Sequence, residues 1–324
     1  MKLKLLLIFL FSFVFTHSSF ALSENNIIVF GDSLSDIGNN NWIEAIGAPI
    51  TSFDEKGHKN TWAKYLSSKL FSKPMLPSNK ENVNPLIDNV NYAYASADTS
   101  SDYLAADWPN STTIPLVNPA CKQPGLKKNN EGKVTSSCVP GVLEQINLYL
   151  KDVKSVPCSK SIFFIWAGAN DLFYKLPSQP PQQIIATAVG NLLQAKNKLL
   201  ENGISPKQIY ILNLPDLSLT PFAIQHGLKL TALTMAFNNA LAAALTNNLD
   251  PNHPGIANSH VISMFDLLNN VVKAPEKYDL TNVTDSCVEK GLTPLCNGYL
   301  FYDGKHPTAY VHKLIANEIS KIIV

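Results

Sequence analysis

Three side chains, far apart in the chain, have the types that a nucleophilic serine site needs. Ser33 follows an apolar, β-branched run in "IIVFGDSLSDIGNN" (27–40), and Asp303 and His306 stand three apart in "YDGKHPT" near the other end. A serine hydroxyl is a poor nucleophile unless a base takes its proton, and that base needs orienting. On one tight turn, an i, i+3 spacing lets the Asp303 carboxylate reach His306 Nδ1 while Nε2 faces a serine. Acyl transfer also needs preorganised donors for the oxyanion. The candidates are the backbone N–H of Ser33, at a helix start, and the side-chain amide of Asn170 in "WAGAND".

The polar residues around these have plainer readings. Asp32 suits a turn cap that accepts backbone N–H groups, Asp171 a structural acceptor, and His312 a packed residue of the last helix. Trp42, Tyr103 and Trp108 are candidates for lining an acyl groove, although aromatics more often simply pack. A metal-dependent phosphoesterase would need more His and acid ligands at short spacings than "FGDS" has beside it.

These residues must be brought together by elements that the hydrophobic pattern predicts. Short apolar runs closed by turn residues read as strands in "NNIIVFGDS" (25–33), "SIFFIWAGAND" (161–171), "QIYILNLPD" (208–216) and "HVISMFDLL" (260–268), with a weaker one in "IDNVNYAYA" (87–95). Helical periodicity runs over 61–70, 142–152, 183–203, 228–249 and from about Thr308 to Ile323, behind Pro307. Continuous apolar strands alternating with helices predict an α/β chain: a three-layer α/β/α arrangement of about five parallel strands. Ligands of open parallel sheets sit beyond the C-terminal strand ends. Asp32-Ser33, Asn170-Asp171, Asp216 and Asp266 are therefore expected to converge on one edge. The stretch from about 97 to 140 lacks periodicity and is rich in Asn, Ser, Pro and Lys, so it reads as an insertion rather than a second domain.

Three blocks now coincide. "FGDSLSDIGN" resembles the first block of the GDSL (SGNH) esterase/lipase family, "GAND" (168–171) its Gly-x-Asn-Asp block, and "DGKHPTAYVH" (303–312) its closing Asp-x-x-His-Pro block. The pattern is most similar to the secreted bacterial branch of lysophospholipases A and glycerophospholipid–cholesterol acyltransferases. The resemblance implies an SGNH-hydrolase, flavodoxin-like fold, with Ser33 as nucleophile, His306 as general base, Asp303 as its orienter and Asn170 as an oxyanion donor. One block departs: in "NYAYASADTS" (91–100), Ala95, Ser96 and Ala97 fill the place where the family carries a donor glycine. Ser96 is the expected substitute, through its backbone N–H, provided its φ is not positive.

The rest of the chain sets the context. A basic start, the apolar run Leu5–Phe15 and the small residues Ser19 and Ala21 read as a secretory signal peptide over 1–21, followed by a single domain over 22–324. The formal net charge of +1, without a basic block, argues against nucleic acid as a partner and against purely electrostatic membrane attachment. In an exported chain, Cys121–Cys138 and Cys287–Cys296 are plausible bridges, and Cys158 is the odd thiol, expected to be buried. The second bridge would close a loop bordering the catalytic turn, since six residues separate Cys296 from Asp303. The expectation is a secreted serine ester hydrolase without a cofactor, acting on phospholipid or lysophospholipid and meeting the membrane surface transiently as the source of substrate. Acyl transfer to an alcohol is a second outcome. The alternatives are a carbohydrate O-acetyl esterase or short-chain carboxylesterase on the same machinery, and a degenerate, non-catalytic surface-binding protein.

Overall fold

The computed structural model describes residues 26–39, 60–105, 116–117, 119, 121–128, 134–154, 160–176, 178–247, 250–292 and 296–323. The leader over 1–21, Trp42, Trp108 and Cys158 lie outside the described residues. Strand β1 (Asn26–Gly31) is buried along its whole length. Its alternate residues face opposite ways: Ile28 and Phe30 join one core cluster, Ile27 and Val29 another. A strand buried on both faces is the centre of a parallel sheet, which explains its uninterrupted apolar composition.

Helix α1 (Trp62–Phe71) leads to the short strands β2 (Met75–Pro77) and β3 (Asn89–Asn91). The stretch that follows forms a separate antiparallel sheet of β4 (Tyr103–Ala105), β5 (Leu116–Val117), β6 (Gly125–Lys128) and β7 (Val134–Pro140), in the order β5-β4-β7-β6. No periodicity marks these strands because their apolar core is small: Tyr94, Ala97, Leu104 and Val139. The Cys121–Cys138 disulfide pins the segment between β5 and β6 to β7.

The chain then alternates regularly. It runs through α2 (Val142–Asp152), β8 (Ser161–Trp166), α3 (Ala169–Lys175), α4 (Pro181–Glu201), β9 (Ile209–Leu212), α5 (Pro221–Gln225), α6 (Thr231–Thr246), β10 (Val261–Ile262) and α7 (Met264–Lys273). It ends with β11 (Asn282–Ser286), β12 (Tyr299–Phe301) and α8 (Ala309–Ile323). Among the described residues the central sheet has six parallel strands in the order β2-β3-β1-β8-β9-β10. Helices α2, α4 and α6 cover the Ile28/Phe30 face through Ile146, Leu192 and Leu241. Helices α1, α7 and α8 cover the other through Leu66, Leu268 and Ile315. That is the expected three-layer α/β/α fold, with β2 as an edge strand beyond the predicted set.

One predicted strand is corrected. Of "HVISMFDLL" (260–268), only Val261–Ile262 is extended, and the chain turns helical from Met264. Ser263 Oγ accepts the Asp266 N–H at 3.1 Å and caps α7, whose buried residues Met264, Leu268 and Val271 follow a helical period. Asp266 is consequently exposed on a helix and does not join the sheet edge. Likewise Pro307 does not begin the last helix: it makes a bridge with Phe301, and α8 starts at Ala309.

Candidate active site

The sheet order reverses at β1. From it the chain goes first to β2 and β3 on one side and later to β8 on the other, so a crevice opens between the ends of β1 and β8. Gly31 ends β1 there. A Cβ at this position would lie 2.4 Å from the Trp166 carbonyl oxygen of β8, so only glycine allows the two strands to approach so closely. The chain then coils into one helical turn. The Asp32 carbonyl accepts the N–H groups of Ser35 and Asp36, both at 3.0 Å, and Asp32 Oδ1 accepts that of Leu34 at 3.0 Å. Ser33 is left half-buried at the crevice.

The other serine and acids of this stretch are scaffolding. Ser35 is fully buried, and its Oγ accepts the Trp62 indole N–H at 3.1 Å. Asp36 Oδ1 accepts from Gly38 and Asn39, and Oδ2 from the Ala95 N–H at 2.9 Å. Asn39 Nδ2 donates to the carbonyls of Asn91 and Ala93 at 2.8 and 2.9 Å. These bonds tie the Ser33 turn to the segment carrying Ser96.

The catalytic-type turn follows β12. Asp303 Oδ1 accepts the backbone N–H groups of Lys305 and His306, both at 2.8 Å, which fixes the carboxylate under the ring. His306 Nδ1 lies 2.8 Å from Asp303 Oδ2, and Nε2 lies 2.7 Å from Ser33 Oγ. An ionised carboxylate only accepts, so Nδ1 carries the proton and Nε2 is free to accept that of Ser33. Burial pushes the Asp303 carboxyl up. The charge of His306, its ring N–H and the two backbone N–H groups outweigh that and hold it below the usual carboxylate range. Residues 273 positions apart are thus joined in one Ser33–His306–Asp303 chain.

Asn170 sits in the first turn of α3 beside the same crevice. Its Nδ2 donates one N–H to the Ala97 carbonyl at 2.8 Å, leaving the second for the crevice. Ser96 precedes Ala97 as third residue of a turn closed by the Ala97 N–H on the Tyr94 carbonyl at 3.1 Å. Its φ is +69°, so the condition set for its backbone N–H as the substitute donor, a non-positive φ, is not met. With positive φ at the third residue and not at the second, the turn is of type II, where glycine is favoured. Serine accepts this left-handed conformation at a cost of about 1–2 kcal/mol.

The remaining predicted acids separate by role. Asp171 accepts the Thr99 N–H and hydroxyl, both at 3.1 Å, and the Lys175 ammonium at 2.8 Å, and so is structural. Asp216 borders the crevice but caps its own turn, accepting from the Ser218 N–H and the Thr231 hydroxyl. His312 is buried, and among the described residues its Nδ1 has no partner. Burial, then the charge of His306, pushes its pKa down to about 3, which keeps the ring neutral. Tyr103, on the small sheet, donates its hydroxyl to Glu144 of α2 and does not line the crevice.

Asp32 differs from these. It is buried beside Ser33, and burial pushes its carboxyl up to about 7 against the Leu34 N–H and the charge of His306. A folded-state value above the unfolded 3.8 means that stability is fully present below about pH 4 and is lost as pH rises through about 7. Asp32→Asn keeps the acceptor for Leu34 and removes the titration. Its Tm should match the wild-type value near pH 4 and exceed it by several degrees at pH 8. A Tm difference that does not change with pH would dismiss the buried charge as the cause.

A GDSL-like lipase/acylhydrolase family model matches residues 27–319. The chain belongs to that family. A GDSL esterase/lipase of Arabidopsis thaliana is 22% identical over 338 residues, covering 92% of this chain and 89% of its own length. A Pseudomonas putida protein described as uncharacterised, from the trpE-trpG intergenic region, is 25% identical over 92% of this chain and 48% of its own. Among solved structures, an acetyl xylan esterase aligns with a TM-score of 0.45 at 11% identity, over 92% of this chain and 100% of its own.

The crevice of this GDSL-family chain is a cleft with largely apolar walls. Leu34, Trp166, Leu217, Leu219, Leu268 and Leu300 line it beside Ser33, Asn170 and His306. Leu217 and Leu219 belong to a 3-10 turn after β9, and Leu268 to the helix misread as a strand. Period alone could not mark them as a binding wall. The Cys287–Cys296 bridge is present, with the Cys287 N–H on the Phe301 carbonyl and the Val288 N–H on that of Tyr302. The closed loop therefore lies against the residues that lead into Asp303, and the Gln225 amide donates to Glu289 across to α5.

Proposed function

We propose that this chain is a serine ester hydrolase acting on lipid acyl esters. The observation that carries this reading is the continuous chain from Ser33 Oγ through the His306 ring to Asp303 at the mouth of an apolar cleft. Ser33 Oγ attacks the ester carbonyl as His306 Nε2 takes its proton, and Asp303 stabilises the imidazolium. The oxyanion is held by the Ser33 N–H and the free Asn170 N–H. His306 then protonates the leaving alcohol. In the second half it deprotonates a water, which releases the acid from Ser33. An alcohol in place of that water would give acyl transfer.

The cleft walls support an acyl chain over an acetyl group, because each buried methylene contributes about 0.8 kcal/mol. This favours the lysophospholipase A or phospholipase A reading, in line with the resemblance to the secreted bacterial branch. The two disulfides support an oxidising, extracytoplasmic destination. A series of 4-nitrophenyl esters from acetyl to dodecanoyl tests the substrate class. The kcat/KM should rise about tenfold or more from acetyl to octanoyl. A maximum at acetyl would replace the lipid reading with a short-chain or carbohydrate O-acetyl esterase, and no turnover of any ester would end both.

A further inference from the structure

Lys305 stands between the two residues of the catalytic-type turn and lines the same cleft as Ser33. Its ammonium lies 4.5 Å from the ring centre of Phe222, 5.0 Å from Phe173 and 5.1 Å from Tyr174. Such faces hold a cation by their quadrupoles without neutralising it. Among the described residues no carboxylate forms an ion pair with it, and the nearby Asp303 is spent on the His306 ring and two backbone N–H groups. The cleft's other carboxylates are also engaged, Asp32 by the Leu34 N–H and Asp216 by Thr231. Lys196 shows the opposite arrangement: it is buried where Lys305 is half-buried, and its ammonium is satisfied by the Pro254 carbonyl at 2.9 Å. Burial lowers the Lys305 pKa, with Asp303 opposing, as fits an ammonium partly withdrawn from water.

An uncompensated ammonium beside a reaction centre gains most when an anion arrives, because the local dielectric is low. We propose that Lys305, held by Phe173, Tyr174 and Phe222, is a specificity-determining residue that receives an anionic group, a phosphate above all, carried on the alcohol half of the substrate ester. The apolar walls take the acyl chain, and the anion is anchored within one turn of His306. The rings hold the side chain in place before the substrate arrives, which reduces the entropy lost on binding. The inference rests on the ester-hydrolase reading for the division of the substrate. Its test reads binding alone, so failure of the two can be told apart.

The test is calorimetric titration of the whole chain with hexyl phosphate, hexanol and inorganic phosphate, repeated on Lys305→Met and Lys305→Arg. Wild type should bind hexyl phosphate about tenfold or more tightly than hexanol. Lys305→Met should remove that preference, and Lys305→Arg should keep most of it. In wild type the preference should also fall several-fold as salt is raised, a readout that survives if the Met variant does not fold. Equal affinities in wild type, or a preference that persists in Lys305→Met, would overturn the proposal. Inorganic phosphate binding as tightly as hexyl phosphate would overturn it too, since the anion would then sit apart from the apolar cleft. A chain that meets these expectations yet hydrolyses no ester would sink the ester reading and leave the anion site standing.

Discussion

Ser33→Ala is expected to lower kcat for every ester by about 10³-fold or more, with the fold intact. Among the described residues the Oγ makes one bond, to His306 Nε2 at 2.7 Å, so removing it strands no other described partner. His306→Ala should cost a similar factor, because without Nε2 the hydroxyl keeps its proton. The two groups act as a unit, so Ser33→Ala/His306→Ala should be little worse than either single change. Near-multiplicative losses would mean that they serve separate steps. Ser35 is the control within the same turn. Its Oγ is committed to the Trp62 indole, so Ser35→Ala should lower stability more than turnover. Substantial activity in Ser33→Ala together with its loss in Ser35→Ala would move the nucleophile.

What made this site readable in the sequence is that each part is local. Asp303 and His306 meet because a single turn links them, and Ser33 is presented because Gly31 and the Asp32 turn follow a buried strand at once. Residue type and spacing are sufficient for such features. The parts that escaped depend on contacts distant in sequence. The run Ser263–Leu268 is apolar enough for a strand, and its helix is decided by the Ser263 cap and by packing of Leu268 and Val271 onto the sheet. Likewise β2 has three residues and is a strand only because β3 pairs with it. The aromatic surroundings of Lys305 come from α3 and α5, and no spacing within the Asp303 turn reports them. At Ser96 residue type alone favours an ordinary backbone conformation. The turn, closed between Tyr94 and Ala97 and tied to Asp36 through Ala95, imposes the glycine-like one.

Asn170→Ala should lower kcat by about 10²–10³-fold and leave KM within a few-fold, as loss of one oxyanion donor does. The amide has two N–H groups, and the Ala97 carbonyl holds one of them at 2.8 Å, so the other is aimed without rotational freedom. Such a donor needs no reorganisation when charge develops on the carbonyl oxygen, and in a cleft with apolar walls its effect is not diluted by water. The same bond to Ala97 raises a structural account of any loss: without it the Ser96 turn could shift. Chain length separates the two. The oxyanion forms at the same atom whatever acyl group is carried, so the penalty should be equal for acetyl and octanoyl esters. Asn170→Asp keeps the shape but points an acceptor at both Ala97 and the oxyanion, so it should be at least as damaging as alanine. A penalty that grows with acyl length, or one confined to KM, would make Asn170 part of the cleft wall and leave the oxyanion to the Ser33 N–H alone.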